Sequence, residues 1–138
     1  MATQHISSAF TGGMAFTTEL NSHALTIDLG PKDGGNNTGP QPKGLMLVSL
    51  AGCTGVDVVM ILNKMRVEFS EFSIDVDAEL SETEPKVYQS IKLIYKIKVK
   101  KENEPKVEKA VDLSQNKYCG VSAMFRSFAK LETDIRFY

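Results

Sequence analysis

Apolar and polar residues alternate with a period of two in several stretches of the chain, the pattern of half-buried β-strands. In the first third the alternation covers residues 14–20 and 23–30, and Asn21-Ser22 between them is typical of a hairpin turn. A weaker alternation from Gln4 to Phe10 indicates an earlier strand. The N-terminal part is therefore predicted to be β-structure.

The second half contains a stronger pair of alternating segments, residues 73–80 and 87–100. Acidic residues alternate with apolar ones in the first segment and lysines do so in the second, so opposite charges are expected to pair across the solvated face. A last alternating segment, residues 130–138, closes the chain as a strand. Its inward positions are predicted to be Leu131, Thr133, Ile135 and Phe137.

The apolar run from Leu45 to Leu62 is too long for a strand and predicts a helix from about Lys43 to Arg66. Its length approaches that of a membrane span. However, Asp57 lies in its middle and the chain has no second apolar run to pack with it. We therefore expect no membrane association and a helix buried on all sides in a globular core.

The remaining segments complete an α+β order. Residues 30–42 are rich in Gly, Pro and Asn and are predicted to form a loop that is functional or mobile. Helical spacing predicts a helix over residues 104–115, and a short helix is expected from near Cys119 to Phe128. Because few strands are separated by single crossover helices, residues 1–138 are predicted to form one α+β domain rather than a doubly wound parallel sheet.

Composition narrows the class of function. The 138 residues carry 42% hydrophobic and 24% charged residues and a formal net charge of −1. This balance is typical of a globular protein and argues against electrostatic attraction to nucleic acid or to an anionic membrane. The N-terminus shows no charged segment followed by an apolar one, so we expect no signal peptide and a cytoplasmic location where thiols stay reduced.

The chain contains two cysteines, Cys53 in SLAGCTGVDVV and Cys119 in KYCGVS, 66 positions apart. Each cysteine alone is most simply a small buried hydrophobe. Three features support a redox pair as an alternative, and at this point both interpretations stay open. Cys119 lies where a helix is predicted to begin, which favours its thiolate; Ala51, Gly52 and Gly55 leave space around Cys53; and the two elements that carry the thiols can meet in the core.

Metal binding finds little support in the spacing. The chain has no Cys-x-x-Cys, and a set of His5, His23, Cys53 and Cys119 matches no known zinc-finger spacing. We therefore expect neither a metal nor a cofactor.

Two segments carry a family resemblance: GPQPKGLMLVSLAGCTGVDVVMILNKMRV (39–67) and AVDLSQNKYCGVSAMF (110–125), with the alternating strand pair between them. Together they resemble the OsmC/Ohr family of thiol-dependent peroxidases, named for osmotic induction and organic hydroperoxide resistance, and in particular its OsmC-like branch. The resemblance covers nearly the whole chain in order. It implies an OsmC-like α+β fold with antiparallel sheets around long central helices, in an intertwined homodimer.

The resemblance also implies a chemistry. Cys53 corresponds to the peroxidatic cysteine, which attacks the O–O bond of an organic hydroperoxide or hydrogen peroxide and becomes a sulfenic acid. Cys119 corresponds to the resolving cysteine, which condenses with that sulfenic acid to a disulfide. A dithiol reductant, in Ohr-type members a lipoylated protein, then restores both thiols.

This sequence departs from the family in the charged groups that activate the peroxidatic thiolate. Better-known members hold the thiolate with an N-terminal arginine and a glutamate near the start of the cysteine helix. This chain has no arginine before Arg66, and Lys43 or Gly44 stands at the glutamate position. Because a cation lowers the pKa of a neighbouring thiol, another one is needed. The candidates are Lys43, Arg126, Lys32 and His23.

Two neighbours of the thiols have simpler interpretations. Asp57 lies one helical turn after Cys53, where its charge opposes thiolate formation; we interpret it as a buried group satisfied by a backbone amide or a lysine. Tyr118 either packs or brings its hydroxyl to the site. Because the family's arginine and glutamate are missing, a second function stays open: an OsmC-like protein without efficient peroxidase activity that binds a small apolar or electrophilic ligand in the dimer cleft.

Overall fold

The computed structural model describes residues 1–138 and contains six strands and three α-helices. The strands are β1 (Ser8–Gly12), β2 (Ala15–Leu20), β3 (His23–Ile27), β4 (Ser70–Leu80), β5 (Tyr88–Lys98) and β6 (Lys130–Phe137). The helices are α1 (Leu45–Lys64), α2 (Glu104–Leu113) and α3 (Gly120–Arg126). The α+β class predicted from the sequence is confirmed, and each predicted strand and helix is present within a few residues of its expected bounds.

The chain divides into two compact units, Met1–Met46 and Leu47–Tyr138. The first unit contains the antiparallel sheet β1-β2-β3. Asn21 and Ser22 both adopt positive φ, as a tight two-residue hairpin turn requires, which confirms the turn predicted between β2 and β3. Thr17 and Thr26 face each other in this hairpin, with their hydroxyl oxygens 2.9 Å apart.

The glycine-rich loop of the first unit is organised by one buried carboxylate. Asp28 accepts hydrogen bonds from the backbone N–H groups of Leu29, Asn36 and Thr38 and from the Thr38 hydroxyl. These donors, the Thr38 hydroxyl first, lower the pKa of Asp28 from 3.8 to about 2. The loop also contains a short 3₁₀ turn, Pro31–Asp33. Residues 30–42 therefore form the predicted loop, with its backbone bonded to Asp28.

The second unit contains the sheet β4-β5-β6. Strands β4 and β5 form the predicted antiparallel hairpin, and Lys96 Nζ lies 2.6 Å from Asp75 Oδ2 across its solvated face. Strand β6 runs parallel to β5, which corrects the expectation of purely antiparallel sheets. The reason is the connection, because a segment that carries α2 and α3 between two strands crosses over and returns in the same direction.

Helix α1 packs one face into the core of the second unit. Leu50, Val58 and Leu62 are fully buried against inward residues of β5 and against α2. Val48, Val56 and Met60, at intervals of four or eight residues, are more than half exposed. The expectation that α1 is buried on all sides is therefore wrong for the single chain, because only one stripe of the helix meets the sheet.

The hydropathy of α1 alone would permit a membrane span. It is long and apolar enough by length and composition, with a mean hydropathy of 2.2 over its most apolar window. Core helices of folded proteins satisfy the same criterion. Since α1 contributes Leu50, Val58 and Leu62 to the core, it is a structural element of the folded unit.

The segment after β5 differs in detail from the predicted helices. The helix expected over 104–115 ends at Leu113 and continues as one π-helical turn, Ser114–Tyr118. The short helix α3 begins at Gly120, directly after Cys119, as predicted, but ends at Arg126 rather than Phe128. In β6, Leu131, Ile135 and Phe137 are partly buried as predicted, whereas Thr133 is exposed.

Candidate functional site

The two cysteines lie together in the second unit. Cys53, on α1, is partly exposed, and Cys119, between the π-helical turn and α3, is buried; both are free thiols. Their Sγ atoms and a carboxylate oxygen of Asp57 all lie within 4.8 Å of one another. The expectation that the elements carrying Cys53 and Cys119 meet in the core is confirmed.

Local backbone structure fixes the position of Cys119. Its N–H donates to the Ser114 carbonyl at 2.7 Å, the hydrogen bond that closes the π-helical turn. Cys119 is also the N-cap of α3, and its Sγ accepts a hydrogen bond from the Ser122 N–H at 3.3 Å. The cysteine is therefore held from both sides, with its sulfur directed to Cys53.

Asp57 is on the same face of α1 as Cys53, one turn later. Its Oδ2 accepts a hydrogen bond from the Ser114 hydroxyl at 3.0 Å. The partner is thus a serine of the π-helical turn, which corrects the expectation of a backbone amide or a lysine. The same serine holds Asp57 through its side chain and Cys119 through its carbonyl.

The surroundings of Cys53 disfavour its thiolate. Burial raises the pKa of Cys53 most, followed by its hydrogen bond with Cys119, and electrostatic repulsion from Cys119 and Asp57 raises the pKa further. The backbone N–H of Val121 opposes this by donating a hydrogen bond to the sulfur. Peroxidatic chemistry at Cys53 therefore needs a contribution that offsets these factors.

Near the thiols lies a buried cluster of hydroxyl and amide groups. One of its members, Thr54, directly follows Cys53 in the sequence. Thr54 Oγ1 is 2.7 Å from both Tyr95 OH and Ser114 Oγ. Gln115 Nε2 donates to Tyr95 OH at 2.9 Å and to Ser122 Oγ at 3.0 Å. We call these five residues, Thr54, Tyr95, Ser114, Gln115 and Ser122, the polar cluster.

The polar cluster joins every element of the site. It connects α1, β5, the π-helical turn and α3, and every buried side-chain nitrogen and oxygen in the chain has a hydrogen-bond partner. Such a fully satisfied network fixes the arrangement of the elements it joins. Sequence reasoning missed this cluster, since a threonine or serine inside an apolar run has the same signature as an ordinary core residue.

Arg126, one of the four candidate cations, is in the second unit and is directed at Gln115. Its Nη1 donates to the Gln115 carbonyl at 2.6 Å and its Nη2 to Gln115 Oε1 at 2.7 Å. Its charge also lowers the pKa of Tyr95, which burial raises. These contacts link Arg126 to the polar cluster; its role as a thiolate-activating cation stays a prediction.

The other candidate cations lie in the first unit. His23 begins β3, Lys32 is in the 3₁₀ turn, and Lys43 precedes α1; all three side chains are exposed. Which of them, if any, acts on Cys53 stays a prediction.

An open cleft of about 360 Å³ adjoins the site at Asp57. Apart from Asp57 and Lys64 its walls are mainly apolar. The other lining residues are Met60, Ile61, Met65, Leu113 and Tyr118. Tyr118, adjacent to Cys119 in the sequence, is thus an exposed wall of this cleft and not a buried packing residue.

Comparison with known proteins agrees with this architecture. The model of the OsmC family, described as OsmC-like protein, matches residues 34–134. Protein YhfA of Escherichia coli K12 is 31% identical over 113 residues, which are 81% of each chain.

Solved structures share the fold over the full length. A hypothetical protein from Aquifex aeolicus VF5 superposes with a TM-score of 0.81 at 29% identity, covering 100% of this chain and 99% of that one. An organic hydroperoxide resistance protein OsmC from Legionella pneumophila, also described as a predicted redox protein and regulator of sulfide bond formation, gives a TM-score of 0.67 at 16% identity, with 99% of both chains covered.

The fold and the paired thiols define an α+β protein with a candidate redox centre between its long helix and the start of a short one. The chain belongs to the OsmC family. The family resemblance seen in the sequence is thereby confirmed.

Proposed function

We propose that this protein is a thiol-dependent peroxidase that reduces organic hydroperoxides, or hydrogen peroxide, with Cys53 as nucleophile and Cys119 as resolving cysteine. The observation that carries the proposal is the approach of the two sulfur atoms to within 4.8 Å. A disulfide requires the two sulfurs to approach to roughly 2.05 Å, and side chains that already meet are placed to make that approach. Family membership supports the same chemistry.

The reaction balances with the two thiols and one dithiol. The Cys53 thiolate attacks the O–O bond; sulfur gains a hydroxyl to become a sulfenic acid, and the alkoxide takes a proton and leaves as alcohol. The Cys119 sulfur then attacks the sulfenic sulfur, forming the disulfide and releasing water. An external dithiol, such as a lipoylated protein, restores both thiols by exchange and is itself oxidised to a disulfide.

The apolar cleft supports an organic substrate. Its walls at Met60, Ile61 and Leu113 suit an alkyl or aryl group, and Asp57 at its edge is next to both sulfurs. An organic hydroperoxide bound there directs its peroxide end to Cys53 while its apolar part leaves water.

A homodimer is part of the proposal. Val48, Gly52, Val56 and Met60 form an exposed apolar stripe along α1 at intervals of four residues. A contiguous apolar surface of this kind is typical of an interface, and a second copy of the chain, as the family resemblance implies, is the proposed occupant. The proposed location is the cytoplasm, where thiols stay reduced.

One observation favours a second function. The raised pKa of Cys53 reduces the thiolate fraction at neutral pH. A protein with such a thiol and an apolar cleft suits the binding of a small apolar or electrophilic ligand without efficient peroxide turnover.

Steady-state turnover separates the two functions. The reduced protein is given cumene hydroperoxide or hydrogen peroxide together with dihydrolipoamide, and hydroperoxide loss is followed. The peroxidase proposal expects catalytic consumption that is abolished in Cys53→Ser and strongly reduced in Cys119→Ser. Ligand binding without peroxidase activity expects no consumption above that of the Cys53→Ser variant.

The dimer is tested by sedimentation equilibrium. Val56→Asp introduces a charge into the stripe and is expected to yield monomers, whereas the matched control Thr133→Asp on exposed β6 is expected to leave the assembly unchanged. A wild-type chain that sediments as a monomer at all concentrations would contradict the dimer.

A further inference from the structure

The site holds three metal-ligating side chains that the proposed peroxidase reaction does not use together. Cys53 Sγ, Cys119 Sγ and a carboxylate oxygen of Asp57 all lie within 4.8 Å of one another. Zinc–sulfur bonds of about 2.3 Å place two sulfurs of one tetrahedral zinc roughly 3.8 Å apart. The two sulfurs are therefore at most about 1 Å farther apart than one zinc ion needs.

From this geometry we propose that the reduced protein binds one thiophilic divalent cation, such as Zn²⁺, through Cys53, Asp57 and Cys119. This set differs from the His/Cys set considered from sequence spacing. It is formed because Cys53 and Asp57 share a face of α1 while the π-helical turn brings in Cys119 from 66 positions away. The binding does not depend on peroxidase activity.

The donors are already oriented by groups around them. Ser114 donates to Asp57, and the Ser122 N–H donates to Cys119 Sγ. Outer contacts of this kind hold metal ligands in place and reduce the reorganisation that binding requires. Three protein ligands leave the fourth tetrahedral position for water or an external thiolate.

The donor types select the class of cation. Two thiolates and a carboxylate bring three negative charges, and sulfur prefers Zn²⁺ or Cd²⁺ to Mg²⁺ or Ca²⁺. Binding releases the protons of both thiols when both are protonated. The bound ion then offsets the repulsion among these three negative groups.

Bound metal is expected to mask the thiols. A thiolate whose lone pair is engaged by a cation is a poorer nucleophile than a free one. We therefore expect one equivalent of Zn²⁺ to protect Cys53 from alkylation by iodoacetamide, and a chelator to restore the reaction.

The test is an anaerobic titration of the reduced full chain with Cd²⁺, followed by the ultraviolet thiolate-to-cadmium charge-transfer band, and with Zn²⁺ against a chromophoric chelator. One ion per chain is expected. Cys53→Ser and Cys119→Ser should each lose most of the band. No hydroperoxide is present, so failure here is distinct from failure of the proposed peroxidase.

Asp57→Asn separates ligation from an indirect effect. Asparagine keeps the size of the side chain and removes its charge, so binding that needs only the two thiolates is retained. If Asp57 is a ligand, affinity instead falls at least about tenfold. The matched control Asp77→Asn, on an exposed position of β4, should bind like the wild type.

Three results would each overturn the proposal. The first is a wild-type chain that shows no charge-transfer band and does not compete with the chelator. The second is metal binding that survives in both cysteine variants. The third is an Asp57→Asn variant whose metal affinity equals or exceeds that of the wild type.

Discussion

Arg126 donates two hydrogen bonds to Gln115, one to its carbonyl oxygen and one to its side-chain oxygen. Gln115 in turn donates to Tyr95 and Ser122 and lies in the π-helical turn that precedes Cys119. The guanidinium therefore fixes the segment that precedes Cys119. Only a planar group with several N–H donors reaches both oxygens at once.

Arg126→Ala is expected to slow the second half-reaction. Formation of the sulfenic acid at Cys53 should stay within about twofold of wild type, while its conversion to the disulfide should slow about tenfold or more, because a displaced Cys119 loses its orientation. Stopped-flow measurement with a sulfenic-acid probe resolves the two steps. Arg126→Lys should fall between, since one ammonium group replaces only one of the two contacts.

A variant that slows only the formation of the sulfenic acid would give Arg126 the role of activating cation. If the first step slows and the second is unchanged, Arg126 activates the Cys53 thiolate, as the sequence-based candidate set allows, and its positioning role is wrong.

Asp57→Asn is expected to lower the pKa of Cys53. Two neighbouring negative charges repel each other, so removing the Asp57 charge favours the Cys53 thiolate over the thiol. The direction follows because the Asp57 charge is among the causes that raise the pKa of Cys53. At a pH below that pKa, alkylation of Cys53 should accelerate.

The measurement is the pH profile of iodoacetamide reaction at Cys53 in a Cys119→Ser background. Asp77→Asn serves as the control for loss of one acidic residue. If Asp57→Asn leaves the pH profile of alkylation unchanged, or moves it to higher pH, then the Asp57 charge does not raise the pKa of Cys53.

Tyr95→Phe is expected to destabilise the folded chain by about 1–2 kcal/mol. The Tyr95 side chain is fully buried, and its hydroxyl is bonded to Thr54 and Gln115, so its removal leaves buried polar groups short of a partner. Urea unfolding gives the free energy. Tyr118→Phe, at a half-exposed ring, should change it little; equal losses in both variants would show that the polar cluster contributes nothing specific.

Gly39→Ala is expected to disrupt the ordered loop of the first unit. A Cβ at Gly39 would lie 2.1 Å from the Thr26 carbonyl oxygen, and backbone atoms must move to admit it. Gly30 is the matched control in the same loop, because its Cβ position is open and its φ of −74° suits alanine. Thermal unfolding should show a clear loss for Gly39→Ala and none for Gly30→Ala; similar curves would contradict the close packing around Asp28.

Much of the fold follows from local pattern. The alternation in β4 and β5, the apolar length of α1 and the turn residues Asn21-Ser22 each specify an element through short-range physics. The direction of β6 does not follow, because parallel pairing depends on the crossover that carries α2 and α3. The exposed stripe of α1 does not follow from local pattern either. An apolar helix has the same sequence signature whether its own sheet or another chain covers it.

The meeting of the two thiols was predictable from the sequence, whereas the groups that hold them in place were not. Cys53 and Cys119 are identifiable by their helical context, but Thr54, Ser114 and Gln115 carry no pattern until α1 and the π-helical turn bring them together. Asp28 is a similar case: its buried position is set by the loop that folds back onto it, with donors at Asn36 and Thr38. Long-range contacts of this kind leave no mark on local periodicity.

The central claim, that Cys53 and Cys119 are a working redox pair, is tested most directly by intact mass and thiol counting. The reduced chain is treated with one equivalent of cumene hydroperoxide and then mapped by proteolysis. The account predicts loss of both free thiols per chain as an intrachain disulfide between Cys53 and Cys119, and a sulfenic acid at Cys53 in Cys119→Ser. Survival of both thiols in the folded protein under excess hydroperoxide would contradict it.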